Sequence, residues 1–292
     1  MSVEMQRYYT TPVDSLSPHD FTSLLKLAME EDCPGDDITS FAIFSPEDRG
    51  IALLTSREDG ILCGSQILES IHKIFGDDFL VKMETQEGFK IQKGSKIAEI
   101  SGNLRVILRM ERILLNFLQY LSGISTTVNK LVNEFPDLLI LDTRKTLPGY
   151  RKLAKYAVYK GGGANHRINL SEMALIKDNH IALCGSITNA VEKIRRTYPN
   201  KKIELEIDSL EQLEDALISS PEIIMLDNFN EESTKIAIEN IRRKSDTIRI
   251  ECSGGITPNK LKFLSGFGGI GVSMGYITHT TRFMDLGLDI EY

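Results

Sequence analysis

The densest chemical signal in the sequence is a basic stretch from Asp142 to Lys177, where Arg144, Lys145, Arg151, Lys152, Lys155, Lys160, Arg167 and Lys177 face only Asp142 and Glu172. Arg151, Lys152, Lys155 and Lys160 fall in a helical pattern and read as a solvated helix face. Arg144, Lys145, Arg167 and Lys177 sit instead at expected strand ends or beside glycine turns. There an arginine can clamp a carboxylate or phosphate through paired hydrogen bonds, and a lysine supplies a compact charge. This is the chemistry of an anionic small molecule carrying more than one charge. Glu206 and Asp227 close two further strands. Carboxylates are costly beside a polyanion unless they meet ribose hydroxyls, a bridging Mg²⁺ or a developing cation. An oxocarbenium-like sugar losing pyrophosphate satisfies all three conditions. Gly161-Gly162-Gly163 precedes Asn165-His166-Arg167, while Ser253-Gly254-Gly255 and Gly275 follow two later strands. The later glycines read either as backbone cradles for phosphate or as plain tight turns. His166 reads as an anion ligand or as a brace of its loop. His19, His72 and His279 read as ordinary surface or core residues, and His180 stays open.

These side chains need a scaffold that points strand ends to one place. From about residue 138, apolar runs alternate with helical segments: Leu138 to Leu141, Ala174 to Ile176, Ile203 to Ile207, Ile223 to Leu226, Thr247 to Ile250 and Ile270 to Ser273. Such alternation predicts parallel strands with crossover helices, and in a β/α barrel the C-terminal strand ends share one mouth. About six such strands would leave the barrel incomplete. An open doubly wound sheet is the competing architecture, and the lack of G-x-G-x-x-G after the first of these strands weighs against its dinucleotide-binding form. The first hundred residues read as a smaller α+β unit, with a helix starting at Ser17-Pro18, a helix over Ile67 to Phe75, and short strands at Ile51 to Thr55, Phe79 to Met83, Phe89 to Ile91 and Lys96 to Ile100. Between the two lies an apolar stripe from Leu104 to about Phe135, one long or broken helix with Gly123 as the expected break. It reads equally as a bridge or as a core helix of the first domain. The expected domains are 1–135 and 136–292, with the last segment, about 276–292, a candidate to pack back on the first.

With 292 residues, 41% hydrophobic and 26% charged, the chain has ample material for a core. Its net charge of −7 argues against a nucleic-acid-coating or membrane-surface protein. Cys33, Cys63, Cys184 and Cys252 form no C-x-x-C pair and read as reduced packing thiols. The chain shows neither a secretory leader nor an apolar run of about 20 residues, so a cytoplasmic location is expected.

The ordered blocks together resemble quinolinate phosphoribosyltransferase, the carboxylating nicotinate-nucleotide pyrophosphorylase family, almost end to end. They are Glu31-Asp32 with Gly35-Asp36-Asp37-Ile38-Thr39-Ser40, Glu111-Arg112, Leu115-Asn116-Phe117-Leu118, Leu121-Ser122-Gly123-Ile124, and Asp142-Thr143-Arg144-Lys145-Thr146. Pro148-Gly149, Gly161-Gly162-Gly163, Asn165-His166-Arg167, Leu175-Ile176-Lys177-Asp178-Asn179-His180, Ile224-Met225-Leu226-Asp227-Asn228 and Ser253-Gly254-Gly255-Ile256 continue the series. The resemblance implies an N-terminal α/β sandwich and a C-terminal open α/β barrel of the type II phosphoribosyltransferase kind. It also implies a homodimer with shared active sites. The implied reaction joins quinolinate to phosphoribosyl pyrophosphate with Mg²⁺, giving nicotinate mononucleotide, pyrophosphate and CO₂ in NAD biosynthesis. By the same resemblance Arg112 from the partner subunit, Thr143, Arg144, His166, Arg167 and Lys177 would surround the quinolinate carboxylates, and Lys145 would face phosphoribosyl pyrophosphate. Glu206 and Asp227 would serve the ribose and the metal. Ser253, Gly254 and Gly275 would hold the 5′-phosphate. Two positions depart from the pattern, Asn169 where many members have glycine and Gly287 in a late Asp-x-Ser segment. The alternatives are the paralogue of molybdate-transport operons, acting on another substrate, and a catalytically silent barrel binding a phosphorylated metabolite.

Overall fold

A computed structural model describes residues 10–71, 76 and 78–291. The chain divides into two compact units, each discontinuous in sequence. One contains Val13–Lys130, Thr146–Gly162 and the C-terminal segment from Tyr276; the other contains Leu131–Lys145 and Gly163–Gly275, with residues 10–12. Residues 146–162, although they follow the first parallel strand, therefore fall with the first unit.

The first unit is an antiparallel sheet covered by a long helix. Strands β1 (Arg49–Ser56), β3 (Phe79–Met83), β5 (Lys96–Asn103) and β12 (Leu286–Glu291) pair in the order β12-β1-β5-β3, and β2 (Gly60–Ile61) pairs with β4 (Lys90–Ile91). The C-terminal strand β12 runs antiparallel to β1 along six paired positions, from Ile51 opposite Glu291 to Ser56 opposite Leu286. Helices α1 (Thr22–Asp32), α2 (Ile38–Ile43) and α3 (Ser65–Ser70) precede the long α4 (Leu104–Glu134). The helix expected over Ile67 to Phe75 is seen as α3; His72 and its neighbours through Phe75 lie outside the described residues.

Buried Ile107, Met110, Leu114, Leu118, Leu121, Ile124 and Val128 recur three or four residues apart, so α4 presents a continuous apolar face. Part of that face packs with Ala52, Leu54, Phe79, Ile97, Ile100 and Leu286 of the sheet. The expected break at Gly123 does not occur, and α4 runs unbroken. The glycine serves a close approach instead: a Cβ there would sit 2.1 Å from the Arg282 carbonyl oxygen. α5 (Arg151–Lys160) corrects a second expectation. Lys155 is fully buried, because the helix also buries Leu153, Ala154, Tyr156, Ala157 and Val158. Lys152 is ion-paired to Asp20 at 2.7 Å rather than merely solvated.

The second unit is a six-stranded, all-parallel sheet: β6 (Leu138–Leu141), β7 (Ala174–Ile176), β8 (Ile203–Ile207), β9 (Ile223–Asp227), β10 (Arg249–Ser253) and β11 (Ile270–Ser273). Its order is β6-β11-β10-β9-β8-β7, so two strands consecutive in sequence form opposite edges and the barrel is not closed. Near-complete burial along β8, β9 and β11 is what a parallel strand covered on both faces requires. Helices α6 (Asp178–Cys184), α7 (Ile187–Thr197), α8 (Leu213–Ser219), α9 (Glu231–Lys244) and α10 (Pro258–Ser265) follow successive strands, while the short α11 (Tyr276–His279) follows β11 in the first unit. Five of the six strands lie close to where the apolar runs predicted them. β10 is displaced from Thr247–Ile250 and runs from Arg249 to Ser253, taking in Glu251 and Cys252 beyond the expected end.

Candidate active site

Register places the functional side chains of the parallel sheet on one face. Glu206 pairs with Met225, Met225 with Glu251, and Asp227 with Ser253, so Glu206, Asp227, Glu251 and Ser253 share a face with Glu204. Leu141, Ala164, Met173 and Ile223 cluster within this unit and give it an apolar floor. The strands end toward Asp142, Lys177, Asp227 and Ser253, so polar groups gather beyond that floor.

The loop from Gly163 onward is tied down by Asp142, a fully buried carboxylate just past β6. It accepts hydrogen bonds from the His166 backbone N–H at 2.9 Å and from Asn165 Nδ2 at 2.7 Å. The Ala164 N–H donates to the Ile140 carbonyl at 2.8 Å, adding a parallel bridge beside β6. This fixes Arg167, whose Nη1 donates to the Met173 carbonyl at 3.0 Å. Arg167 is nearly buried, and burial followed by the neighbouring Arg144 guanidinium pulls its pKa below the ordinary value. A guanidinium in so low-dielectric a setting, with a second cation near it, favours a bound anion. Thr143 turns the chain there, its hydroxyl accepting the Lys145 N–H at 3.0 Å, and Lys145 is exposed.

Lys177 donates to the Glu206 carboxylate, and the Lys177 N–H donates to His180 Nδ1 at 3.0 Å. His180 thus caps the turn into α6. Asp227 accepts from Asn228 Nδ2 at 2.7 Å, and the Asn228 N–H donates to the Ser253 carbonyl at 3.0 Å. Asn228 holds a left-handed φ of 55°, and Gly254 one of 75°. A Cβ at Gly254 would stand 2.2 Å from Asn228 Oδ1, so the two strand-end loops lock together only with glycine there. Gly275 lies partly exposed after β11. Both departures from the family pattern are accommodated: Asn169 Oδ1 caps the N–H groups of Ser171 and Glu172, and Gly287 lies in β12 where a Cβ would meet Arg57 at 2.4 Å.

Thr143, Arg144, Lys145, His166, Arg167, Lys177, Glu206, Asp227, Ser253, Gly254 and Gly275 all fall in this unit. Arg112 belongs to the other unit, on α4, exposed and 3.9 Å from Glu111. Two participants, Lys260 and Glu251, were not singled out by sequence. Lys260 on α10 donates to the carbonyls of Gly254 and Phe229, each at 3.1 Å, and so braces the glycine loop. Glu204 and Glu251 are fully buried around His166. The His166 Nε2 is 2.9 Å from Glu204 and 3.7 Å from Glu251, and one ligand atom from each of the three lies within 4.8 Å of the others. Burial pushes both carboxyls up, to about 8. The sequence did hold a signal for Glu251: if Ser253 ends its strand at the mouth, Glu251 must lie two residues below it on the same face. Among the described residues, a groove of about 830 Å³ also runs along β7, α6 and α7, lined by Leu175, Leu183, Ile194 and Tyr198 among others. It is mostly apolar, but Arg167, His180, Lys193 and Lys201 line it as well.

The description "Quinolinate phosphoribosyl transferase, C-terminal domain" matches residues 124–289, and that of the N-terminal domain matches residues 37–122. The chain is 36% identical over 271 residues to a carboxylating nicotinate-nucleotide pyrophosphorylase of Mycobacterium leprae, covering 91% of this chain and 95% of the relative. It is 33% identical to a chloroplastic counterpart of Oryza sativa, across 94% and 78% of the two chains. The solved nicotinate-nucleotide pyrophosphorylase of Francisella tularensis superposes with a TM-score of 0.91 at 35% identity, covering 97% of this chain and all of the other. Among the described residues no helix is long and apolar enough to cross a membrane. The chain belongs to the quinolinate phosphoribosyl transferase family.

Proposed function

We propose that the protein transfers a phosphoribosyl group from phosphoribosyl pyrophosphate to quinolinate, releasing pyrophosphate and CO₂ and leaving nicotinate mononucleotide, a step of NAD biosynthesis. The observation that carries the reading is the nearly buried Arg167, held by the Met173 carbonyl in the same unit as Arg144 and the sheet face that presents Lys177, Glu206 and Asp227. A pyridine dicarboxylate supplies the anion that such a setting favours.

In this mechanism Arg144, Arg167 and Lys177 hold the two carboxylates and aim the pyridine nitrogen at C1 of the ribose, and Lys145 faces the pyrophosphate. The nitrogen forms its bond to C1 as the C1–pyrophosphate bond breaks, with both electrons leaving on the pyrophosphate. Glu206 and Asp227 meet the ribose and the positive charge that develops on it; positioning and electrostatic stabilisation carry the rate. Ser253, Gly254 and Gly275 fix the 5′-phosphate. The ring nitrogen is then cationic, so the carboxylate beside it leaves as CO₂, its bonding pair stays on the ring carbon, and that carbon takes up a proton. No nucleophile from the chain is required.

Glu206 and Asp227 are partly exposed oxygen donors on one face, a set that suits Mg²⁺ arriving with substrate phosphates. They would hold it, and it would neutralise charge on the departing pyrophosphate. The reading extends to a cytoplasmic homodimer in which Arg112 of one subunit completes the site of its partner. Support comes from the exposure of Arg112 on α4.

Acceptor choice tests the function. With phosphoribosyl pyrophosphate and Mg²⁺, quinolinate should give nicotinate mononucleotide at least about a hundredfold faster than nicotinate, because a clamp built for two carboxylates is left half-empty by one. Equal use of nicotinate, or no product from quinolinate, would overturn the reading.

A further inference from the structure

We infer that Thr10, Thr11 and Glu172 form a positioning strap that holds the loop presenting His166 and Arg167 to the dicarboxylate. The inference rests on the functional reading above. The basic stretch from Asp142 to Lys177 contains two acids, Asp142 and Glu172. A carboxylate near an anion site is costly unless its charge is engaged elsewhere, and this loop engages both. Asp142 accepts the Asn165 side-chain amide and the His166 N–H. Glu172 takes the other end: its Oε2 accepts the N–H of Ile168, the residue directly after Arg167, at 2.6 Å.

The second oxygen of Glu172 reaches 161 residues back along the chain, where Oε1 accepts the Thr11 N–H at 3.0 Å. Beside it the Thr10 hydroxyl donates to the Asn165 carbonyl at 2.7 Å. Thr10 and Thr11 therefore hold the residue before His166-Arg167 directly and the residue after it through Glu172. Glu172 is itself set by Asn169, whose Oδ1 accepts the Glu172 N–H at 3.1 Å, so a position that departs from the family pattern shapes the turn that carries the strap's acceptor. All these residues fall in the parallel-sheet unit. Residues 165–173 form no helix or strand, so their backbone groups depend on side chains and on other segments for partners. The Arg167 side chain is nearly buried and bound to the Met173 carbonyl, so a shift of its backbone passes to the guanidinium instead of being absorbed in solvent. An error of about 1 Å in a clamp costs binding far out of proportion to its size.

Thr10 can be altered without changing its shape. Thr10→Val removes the hydroxyl, and Thr10→Ser keeps it. Thr10→Val should raise the KM for quinolinate about threefold while the KM for phosphoribosyl pyrophosphate changes less than about 1.5-fold, and Thr10→Ser should keep quinolinate KM within about 1.5-fold of the unaltered protein. Glu172→Ala removes both acceptors and should raise quinolinate KM about tenfold, with the KM for phosphoribosyl pyrophosphate changed less than about twofold. Because both act on one loop, Thr10→Val/Glu172→Ala should fall well short of the roughly thirtyfold product of the single effects. Equal loss toward both substrates, no loss in Thr10→Val, a Thr10→Ser variant as weak as Thr10→Val, or a double variant at the full product would overturn the inference. If Glu172→Ala does not fold, the Thr10 pair decides alone. The unaltered protein, assayed alongside, separates the two failures: if it makes no nicotinate mononucleotide, the functional reading falls and the strap with it, whereas an active protein with one of the contrary outcomes sinks the strap alone.

Discussion

Glu204 and Glu206 lie on the same strand, on the same face, one pleat apart, and their surroundings could hardly differ more. Glu206 is partly exposed and meets a lysine; Glu204 is fully buried and meets a histidine and a second acid. Strand β10 repeats the step, with Ser253 partly exposed at the strand end and Glu251 buried beneath it. A two-residue advance along a strand is roughly 6–7 Å. That distance separates a layer open to solvent from a layer that is buried. The lesson is that carboxylates on one face of a parallel sheet cannot be assigned one role together: depth below the strand ends decides whether a group exchanges with solvent and ligand or holds its neighbours still.

The largest effect that would break this division is expected in the upper layer. Lys177→Ala should lower kcat/KM for quinolinate by about 10²–10³ with little change in melting temperature, because the side chain is 44% exposed and its pairing with Glu206 adds little stability. A melting temperature lowered by many degrees, with activity nearly intact, would place Lys177 with the buried layer instead.

The lower layer should announce itself through pH. Burial raises Glu204 and Glu251 from 4.5 to about 8 in the folded protein. Between those values the fold retains protons that the unfolded chain has released, so this contribution to stability is complete below about pH 4.5 and is lost as pH rises through about 8. The unaltered protein should therefore lose more melting temperature between pH 5 and pH 8 than Glu204→Gln/Glu251→Gln, by several degrees. Identical pH profiles would mean that the two acids do not bear these protons.

The smallest effect concerns the glycine loop. Lys260→Met removes the donor to the Gly254 and Phe229 carbonyls, and should raise the KM for phosphoribosyl pyrophosphate about threefold while leaving that for quinolinate unchanged. A change confined to quinolinate would show that Lys260 serves the other half of the site.

Most of the upper layer was legible because its residues combine a charged type with a position at the end of an apolar run; Arg144, Lys177, Glu206 and Asp227 all do. The lower layer was hidden for the converse reason. Glu251 interrupts an apolar run, so the pattern ended β10 before the acid instead of passing through it. Lys155 was misjudged on the same ground, since charge pattern alone sends a lysine to solvent, and only the packing around α5 encloses it. Gly123 read as a break because glycine weakens helices, yet the close approach of the Arg282 carbonyl gives it a reason to sit inside one. In each case a contact distant in sequence outweighed a local preference. Asp142 illustrates the middle ground: its place after β6 was evident, while its bonds to Asn165 and His166 depend on a loop more than twenty residues later.

The most direct measurement counts both small products from one sample. With the purified protein, Mg²⁺, phosphoribosyl pyrophosphate and quinolinate labelled in the carboxyl beside the ring nitrogen, labelled CO₂ and pyrophosphate should appear together in a one-to-one ratio as nicotinate mononucleotide accumulates. Pyrophosphate released without labelled CO₂, or neither product, would contradict the account.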